Sequence, residues 1–349
     1  MSLLKRGVNI VLDGQWGSTG KGKLCGLLGT EKPNAVVSSF GPNAGHTYID
    51  DDGNSFVFKG IPSSACTATD APVYITPDSV IKVEQFLKEA EEVGTDRVMV
   101  DRRVAVVTED DAEAARITGH HLAGTMQGTG HAIAKKILRL KNTKLAGDIL
   151  PKSMVGDVCE KIRQHVRSNH TILFEMSQGF DLSVNHGHDY PYLTSRDITV
   201  GAAINSMGIS HHDVSQVVGS IRTYPIRVGN IDGGYSGPHW PDQTEVTWDS
   251  VTMTSGSSEK LLERTTVTKR VRRVFTFSLM QLRRFVDVNK PDYLFLNFMQ
   301  YITSKDSGKK KYCELSQQSR HFVEMIESEC RVPVKIIGTG AALGEVVVR

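Results

Sequence analysis

Residues Val8 to Lys23 read VNIVLDGQWGSTGKGK: a strand, a glycine turn and the start of a helix. Val8 to Leu12 is an apolar, β-branched run long enough for one buried strand. Gly14, Gly17, Gly20 and Gly22 fall within nine residues, followed by the helical stretch Leu24-Cys25-Gly26-Leu27-Leu28. In this layout backbone N–H groups and a helix N-terminus cradle phosphate, and glycine lets the backbone approach an anion closely. Lys21 and Lys23 supply charge. The stretch is not a Walker A motif. Gly14 to Gly20 is one residue too long, and Gly22 stands where the magnesium-binding Ser/Thr belongs. A βα turn without a ligand has the same local sequence, so the rest of the chain must decide.

Charge is nearly balanced, with 41 Lys+Arg against 39 Asp+Glu in 349 residues, which argues against non-specific nucleic-acid binding. The five cysteines show no CxxC spacing, the pattern of cytosolic thiols. No signal peptide and no apolar run of membrane-spanning length is evident. The expectation is a soluble protein of the cytoplasm (the host's, for a viral chain), with no membrane partner.

Strand-like runs at 34–40, 55–60, 73–76, 97–101, 172–175, 293–296 and 334–337 alternate with helical stretches at 79–93, 155–168, 278–288 and 317–328. Two β-rich pieces lie around Gly219 and Pro225, and Asp78 is a candidate N-cap for the 79–93 helix. Residues 229–256, rich in Gly, Pro, Ser and Thr, read as an irregular surface excursion. The alternation predicts an α/β protein with a large, mostly parallel central sheet, helices on both faces and a P-loop-like phosphate turn. No domain boundary is evident, so residues 1–349 are read as one domain.

Polar loops follow several strands, where open α/β sheets bind ligands. They include Gly41-Pro42-Asn43-Ala44-Gly45-His46-Thr47, Gly124 to Gly130, with Lys135, Lys136 and Arg139 on the next helix, and Ser177-Gln178-Gly179-Phe180. His46 is either structural or catalytic. His186, His188 and Asp189 lack a distant third ligand, and a loop role is preferred over zinc. Lys269, Arg270, Arg272 and Arg273, four cations in five residues, form an anion site for a small dianion, a nucleic-acid patch or a solvated loop. The overall neutrality favours the dianion.

Together these motifs resemble the adenylosuccinate synthetase family, in consistent order from Val8 to Gly340. The carriers are Gln15-Trp16-Gly17 with Gly20 to Lys23, Asn43 to Thr47, Phe174-Glu175 with Gln178-Gly179, Tyr190-Pro191-Tyr192 with Thr194-Ser195, and Arg227-Val228-Gly229 with Thr268 to Arg273. The family joins aspartate to C6 of a purine nucleotide after an NTP phosphorylates O6. The resemblance implies an NTP site at Gly17, Thr19, Gly20, Lys21, Gly22, Lys23, Gly45, His46, Thr47, Asn297, Gln300, Gly338 and Gly340. It implies a monophosphate site at Ser18, Asn43, Thr125, Gln178 and Thr194. Arg139 reaches the substrate of a neighbouring subunit, implying a homodimer. Thr268, Arg270 and Arg272 hold aspartate, and Ser18 with the Gly45 carbonyl holds Mg2+. His46 and Lys21 carry the phosphoryl chemistry, which needs positioning and cations more than covalent help.

Two departures from the family pattern bear on substrate. The family loop G-D-E-G-K-G-K carries an aspartate that accepts the purine N1 proton; Ser18 and Thr19 stand here instead. Serine is shorter and leaves room for the 2-amino group of guanine. Gln300 replaces an aspartate that selects guanine on the NTP, and a neutral amide can pair with adenine's donor and acceptor. Both point to a guanine nucleotide as acceptor and ATP or dATP as donor. That combination is similar to the bacteriophage branch of the family, and the resemblance implies dGMP and L-aspartate as substrates, giving N6-succino-2-amino-2'-deoxyadenylate for diaminopurine DNA; no residue reads the deoxyribose. The alternatives are ordinary synthesis from IMP and GTP, and a non-catalytic nucleotide switch. The N1 base is then open: Asp13 is either that base or a carboxylate capping the turn. Lys269 either reinforces anion binding or points outward.

Overall fold

Residues 2–266 and 268–349 are described by a computed structural model; Val267, inside the Thr265 to Arg273 run, lies outside the described residues. One ten-stranded sheet spans the chain. Its strands are β1 (Gly7–Asp13), β2 (Ala35–Ser39), β3 (Val73–Ile75), β4 (Val98–Asp101), β5 (Val155–Gly156), β6 (Thr171–Met176), β7 (Val214–Arg222), β8 (Tyr293–Asn297), β9 (Val334–Gly338) and β10 (Val346–Val348). Their order across the sheet is β10-β9-β8-β7-β1-β6-β2-β3-β4-β5. Every pairing is parallel except β9 with β10. This bears out the expected mostly parallel sheet.

Strand β1 sits at the centre because all but its first residue is buried. Side chains alternate between faces along a strand. Val8, Ile10 and Leu12 enter one core with helices Val158–Arg167, Leu279–Asn289 and Gln317–Cys330, while Val11 enters the other with α1 (Lys21–Gly29) and α2 (Val83–Val93). Helices therefore cover both faces. The chain leaves β1 for β2, and β6 later inserts between them, while β7 pairs on the other side of β1. The C-terminal ends of β1, β6 and β7 thus meet at a switch point, where such sheets bind ligands.

Helix α1 carries glycine at positions 22, 26 and 29 on one face, the i, i+4, i+7 spacing. The hairpin His46–Ile49/Ser55–Phe58 and the turn Ser63–Cys66 pack directly on that face. A Cβ on Gly22 would fall 2.3 Å from the Thr47 carbonyl oxygen. This close approach places His46 beside the phosphate loop.

Several elements differ from the sequence expectation. The α2 helix starts at Val83, not 79, because Val80–Ile81 pairs with Ala105–Val106 as a short parallel ladder. Asp78 caps nothing; its carboxylate accepts from Thr76, Ser39 and Ser206. Residues 155–156 are strand, and their helix begins at Val158 with Asp157 as its cap. The 229–256 stretch contains strand Glu245–Val246 and helix Trp248–Ser255. Arg139 lies just beyond its helix, in left-handed backbone.

Overpacking a close helix contact costs about 1–3 kcal/mol, whereas Gly to Ala inside an open helix gains up to about 1 kcal/mol. Gly22→Ala will lower the thermal midpoint. Gly201→Ala, whose new Cβ meets nothing nearer than 3.7 Å, will hold or raise it. Differential scanning fluorimetry of both variants checks this, and equal effects would refute the packing of α1 on the hairpin.

Candidate active site

Asp13 ends β1 with its carboxylate wholly buried. Oδ1 accepts from the backbone N–H of Gln15 at 2.9 Å and Gly17 at 3.1 Å. Oδ2 accepts from Thr19 Oγ1 at 2.6 Å and Lys21 Nζ at 3.0 Å. A carboxylate gathering turn N–H groups fixes the loop's shape. Asp13 is therefore the turn cap, and its expected role as N1 base is not supported, since it does not line the cavity. Thr19 is drawn inward by the same carboxylate and by Ser220, so its hydroxyl also leaves the NTP site. Lys21 Nζ bridges Asp13 to the Gln178 carbonyl at 3.1 Å. An ammonium has three donors, so one is left for a phosphate oxygen.

The loop opens into a cavity of about 610 Å³, within the usual range for small-molecule sites. Gly17, Ser18, Gly20, Lys21, Gly22, Lys23, Asn43, Gly45, His46, Thr47, Thr125, Gln178, Thr194, Arg272, Asn297 and Gly340 all line it. Lys21, Lys23, Arg227, Arg264 and Arg272 line it against a single carboxylate among the described residues, Glu263. Glu263 is itself paired with Arg222. The cavity is thus suited to phosphates and a dicarboxylate.

His46 is fixed from two sides. Its Nδ1 lies 2.7 Å from Glu175 Oε1, and its ring stacks on Phe40 with centroids 3.9 Å apart. A carboxylate partner only accepts, so Nδ1 carries a proton and Nε2 is left for the cavity. Glu175 is wholly buried, and its second oxygen accepts from the Ser63 N–H at 2.9 Å. In the sequence Glu175 stands only among the residues that carry the family resemblance, not as the partner of His46. The available signal was a lone carboxylate in the apolar run of β6, which buries only when paired.

Lys23 donates to the carbonyls of Gly340 and Glu345, both at 2.8 Å, tying α1 to the loop after β9. Asn297 Nδ2 holds the Thr19 carbonyl at 3.2 Å, and its Oδ1 sits where Gly338 leaves room for it. Gly338 is thus a spacer behind the cavity and not part of its wall. Gln178 Nε2 and Gln300 Oε1 are buried without partners among the described residues. Such orphans are costly unless a ligand satisfies them. Gln300 does not itself line the cavity; Phe298, in the same turn, does.

Arg270 and Thr268 also lie outside the cavity wall. The Arg270 guanidinium donates to Thr268 Oγ1 at 3.0 Å and to the carbonyls of Gly229 at 3.1 Å and Gly124 at 2.8 Å. It is a clasp over three loops, beside Thr125. Arg272 does line the cavity; burial lowers its guanidinium to about 10 against the opposing pull of Glu263, so it stays charged at neutral pH. Lys269 is exposed, in left-handed backbone. His188 meets Asp189 at 3.0 Å, a loop contact. Arg139 is exposed and outside its own chain's cavity.

A carboxylate-fixed phosphate turn, a carboxylate-held histidine and an excess of cations in one cleft suit a site that binds nucleotide phosphates and transfers a phosphoryl group. The chain belongs to the adenylosuccinate synthetase family, whose sequence model matches residues 10–150 and 140–307. It is 36% identical over 306 residues to the N6-succino-2-amino-2'-deoxyadenylate synthase of Cyanophage S-2L, covering 84% of this chain and 82% of the relative. It is 33% identical over 358 residues to the enzyme of that name from Vibrio phage phiVC8, covering 99% and 98%. The solved structure of the Cyanophage S-2L succinoaminodeoxyadenylate synthetase, bound to dGMP and dATP, superposes with a TM-score of 0.85 at 33% identity, covering 98% of this chain and 95% of that one. Among the described residues no helix is long and apolar enough to cross a membrane.

Burial lowers the Lys23 ammonium to about 8, with Glu345 and Asp51 opposing. Its folded value lies below the unfolded one, so above pH 8 the free protein holds Lys23 largely neutral. A bound triphosphate restores the charge. NTP binding at pH 8.5 will therefore take up a proton, seen by calorimetry in buffers of different ionisation enthalpy, and Lys23→Arg will abolish the uptake. Equal heats in both buffers would contradict it.

Proposed function

We propose that the protein joins L-aspartate to C6 of dGMP at the expense of ATP or dATP, giving N6-succino-2-amino-2'-deoxyadenylate for diaminopurine DNA. The observation that carries the choice of purine is Ser18, exposed at the cavity where the family aspartate belongs. A short neutral side chain there leaves space for the guanine 2-amino group and removes the carboxylate that serves hypoxanthine. The matched phage synthases point the same way.

The γ-phosphoryl group passes from the NTP to O6, releasing the nucleoside diphosphate. The aspartate amine then attacks C6, and phosphate leaves with O6. Lys21 and the first-turn N–H groups of α1 hold the NTP phosphates, and His46 Nε2 donates to the transferring phosphoryl oxygens while Glu175 steadies the ring. Asn43, Thr125, Gln178 and Thr194 hold the monophosphate. Arg272 takes a carboxylate of aspartate, and Arg270 with Thr268 holds the surrounding loops in place. Phe298 lies against the donor base, and the buried, unpartnered Gln300 Oε1 behind it is the acceptor left for an adenine amino group.

Bound Mg2+ would neutralise phosphate charge. Ser18 and Gly45 both line the cavity, and a hydroxyl and a backbone carbonyl are neutral hard oxygens that would fit such an ion. The protein works as a homodimer. Ile137 and Leu138, 69% and 63% exposed beside Arg139, offer an apolar face to a second copy, which brings Arg139 to the neighbouring substrate. The working compartment is the cytoplasm. Nucleic acid is not part of this reading: the Arg270 guanidinium is taken up by loop carbonyls and that of Arg273 by Glu245, so the run does not form an open basic groove.

Aspartate-dependent phosphate release from dGMP or IMP, each with ATP or GTP, tests this. The dGMP and ATP mixture will be fastest, and Ser18→Asp will shift preference toward IMP by roughly tenfold or more. Turnover of IMP with GTP alone would overturn the proposal. Silence in all four with nucleotide bound would make the protein a switch.

A further inference from the structure

Two residues that line the cavity share one unusual feature. Ser18 (φ 56°) and Phe298 (φ 63°) are non-glycine residues in left-handed backbone. Such conformations are strained and persist only where the surroundings hold them. Both are held by the same side chain, Arg222, at the C-terminal end of β7. Arg222 is wholly buried. Its Nη1 donates to the Ser18 carbonyl at 2.8 Å, and its guanidinium lies 4.0 Å over the Phe298 ring. Its other partner is Glu263, joined through both carboxylate oxygens. Tyr301, one residue after Gln300, donates its hydroxyl to Glu263 Oε1 at 3.1 Å. The Glu263 carbonyl in turn accepts from the Arg272 N–H at 2.9 Å.

We propose that the Arg222–Glu263 pair is a specificity-positioning element that sets the purine readers of both nucleotide subsites together. Ser18 reads the acceptor purine and the Phe298 to Gln300 turn reads the donor purine, an assignment that rests on the function proposed above. A guanidinium can do this because it is flat and forked: one edge binds the Ser18 carbonyl and the carboxylate, and one face carries an aromatic ring. An ammonium has the charge without the face or the fork. Because the pair is buried, its geometry is fixed by all its partners at once, and loosening one contact moves both readers.

The test is the selectivity of the full-length enzyme. Arg222→Lys keeps the charge and loses the fork and face. Tyr301→Phe deletes one hydroxyl and leaves the ion pair, so it decides the matter if Arg222→Lys does not fold. For each, kcat/KM is measured for dGMP against IMP with ATP, and for ATP against GTP with dGMP. Arg222→Lys will reduce both preferences together, by roughly tenfold, and Tyr301→Phe will reduce both by about threefold. A fall in kcat/KM by one common factor, with both preferences intact, would show a purely structural role and overturn the inference. So would a change in one preference alone. A wild-type enzyme that favours IMP and GTP would sink the function proposed above, yet joint movement of both ratios in the variants would still support the coupling.

Discussion

The buried carboxylate of Asp13 is the contact on which the site depends. It stands at the end of the central strand and collects N–H groups from the following turn, the Thr19 hydroxyl and the Lys21 ammonium. Removing one partner of a buried ion pair typically costs about 3–5 kcal/mol, because the other charge stays unpaired out of water. The turn can hold one shape only while this pair is intact. That shape points the start of α1 at the cavity, turns Thr19 inward and leaves Ser18 at the surface of the pocket. The glycine face of α1 then brings the hairpin close enough to seat His46 opposite Lys21.

Around this frame the chemistry is distributed by charge. The wall is cationic, and its single carboxylate among the described residues is already paired. No free carboxylate competes with phosphate or with the aspartate substrate. The wall carboxylate nearest Ser18 among the described residues, Glu263, shares Arg222 with the Ser18 carbonyl and is held as that arginine's partner. In the proposed function substrate choice falls to neutral groups: a hydroxyl at Ser18 on the wall and an amide at Gln300 just behind it. Neutral readers discriminate by space and by hydrogen-bond pattern, so their placement matters more than their charge.

Much of the fold was legible because buried parallel strands are written as apolar runs. The strands β1, β6 and β8 fell within a residue or two of their expected places, and the two β-rich pieces around Gly219 and Pro225 are β7 and the short strand Ile226–Arg227. Short or polar elements were not legible. Val80–Ile81 and Val155–Gly156 are two-residue strands defined by a distant partner, and neighbouring apolar residues absorbed them into helices. The helix Trp248–Ser255 hides in a Ser/Thr-rich stretch and is set by its Thr247 cap. In the site, the glycine turn, Lys21 and His46 were readable from local spacing. Asp13 had two readings, and only three-dimensional hydrogen bonds could choose between them. Arg270 was readable as an anion ligand but not as a clasp on Gly124 and Gly229, since those carbonyls lie far away in sequence. Arg222 and Glu263 gave no local signal, because a buried ion pair is visible only when both partners are placed.

The central claim is that O6 of dGMP is phosphorylated and then expelled. Labelling dGMP with oxygen-18 at position 6 and following the reaction with ATP and aspartate by mass spectrometry tests this directly. The account predicts that the released phosphate carries the label while the nucleotide product loses it. Unlabelled phosphate, whether from simple ATP hydrolysis or from a product that keeps its O6, would contradict it.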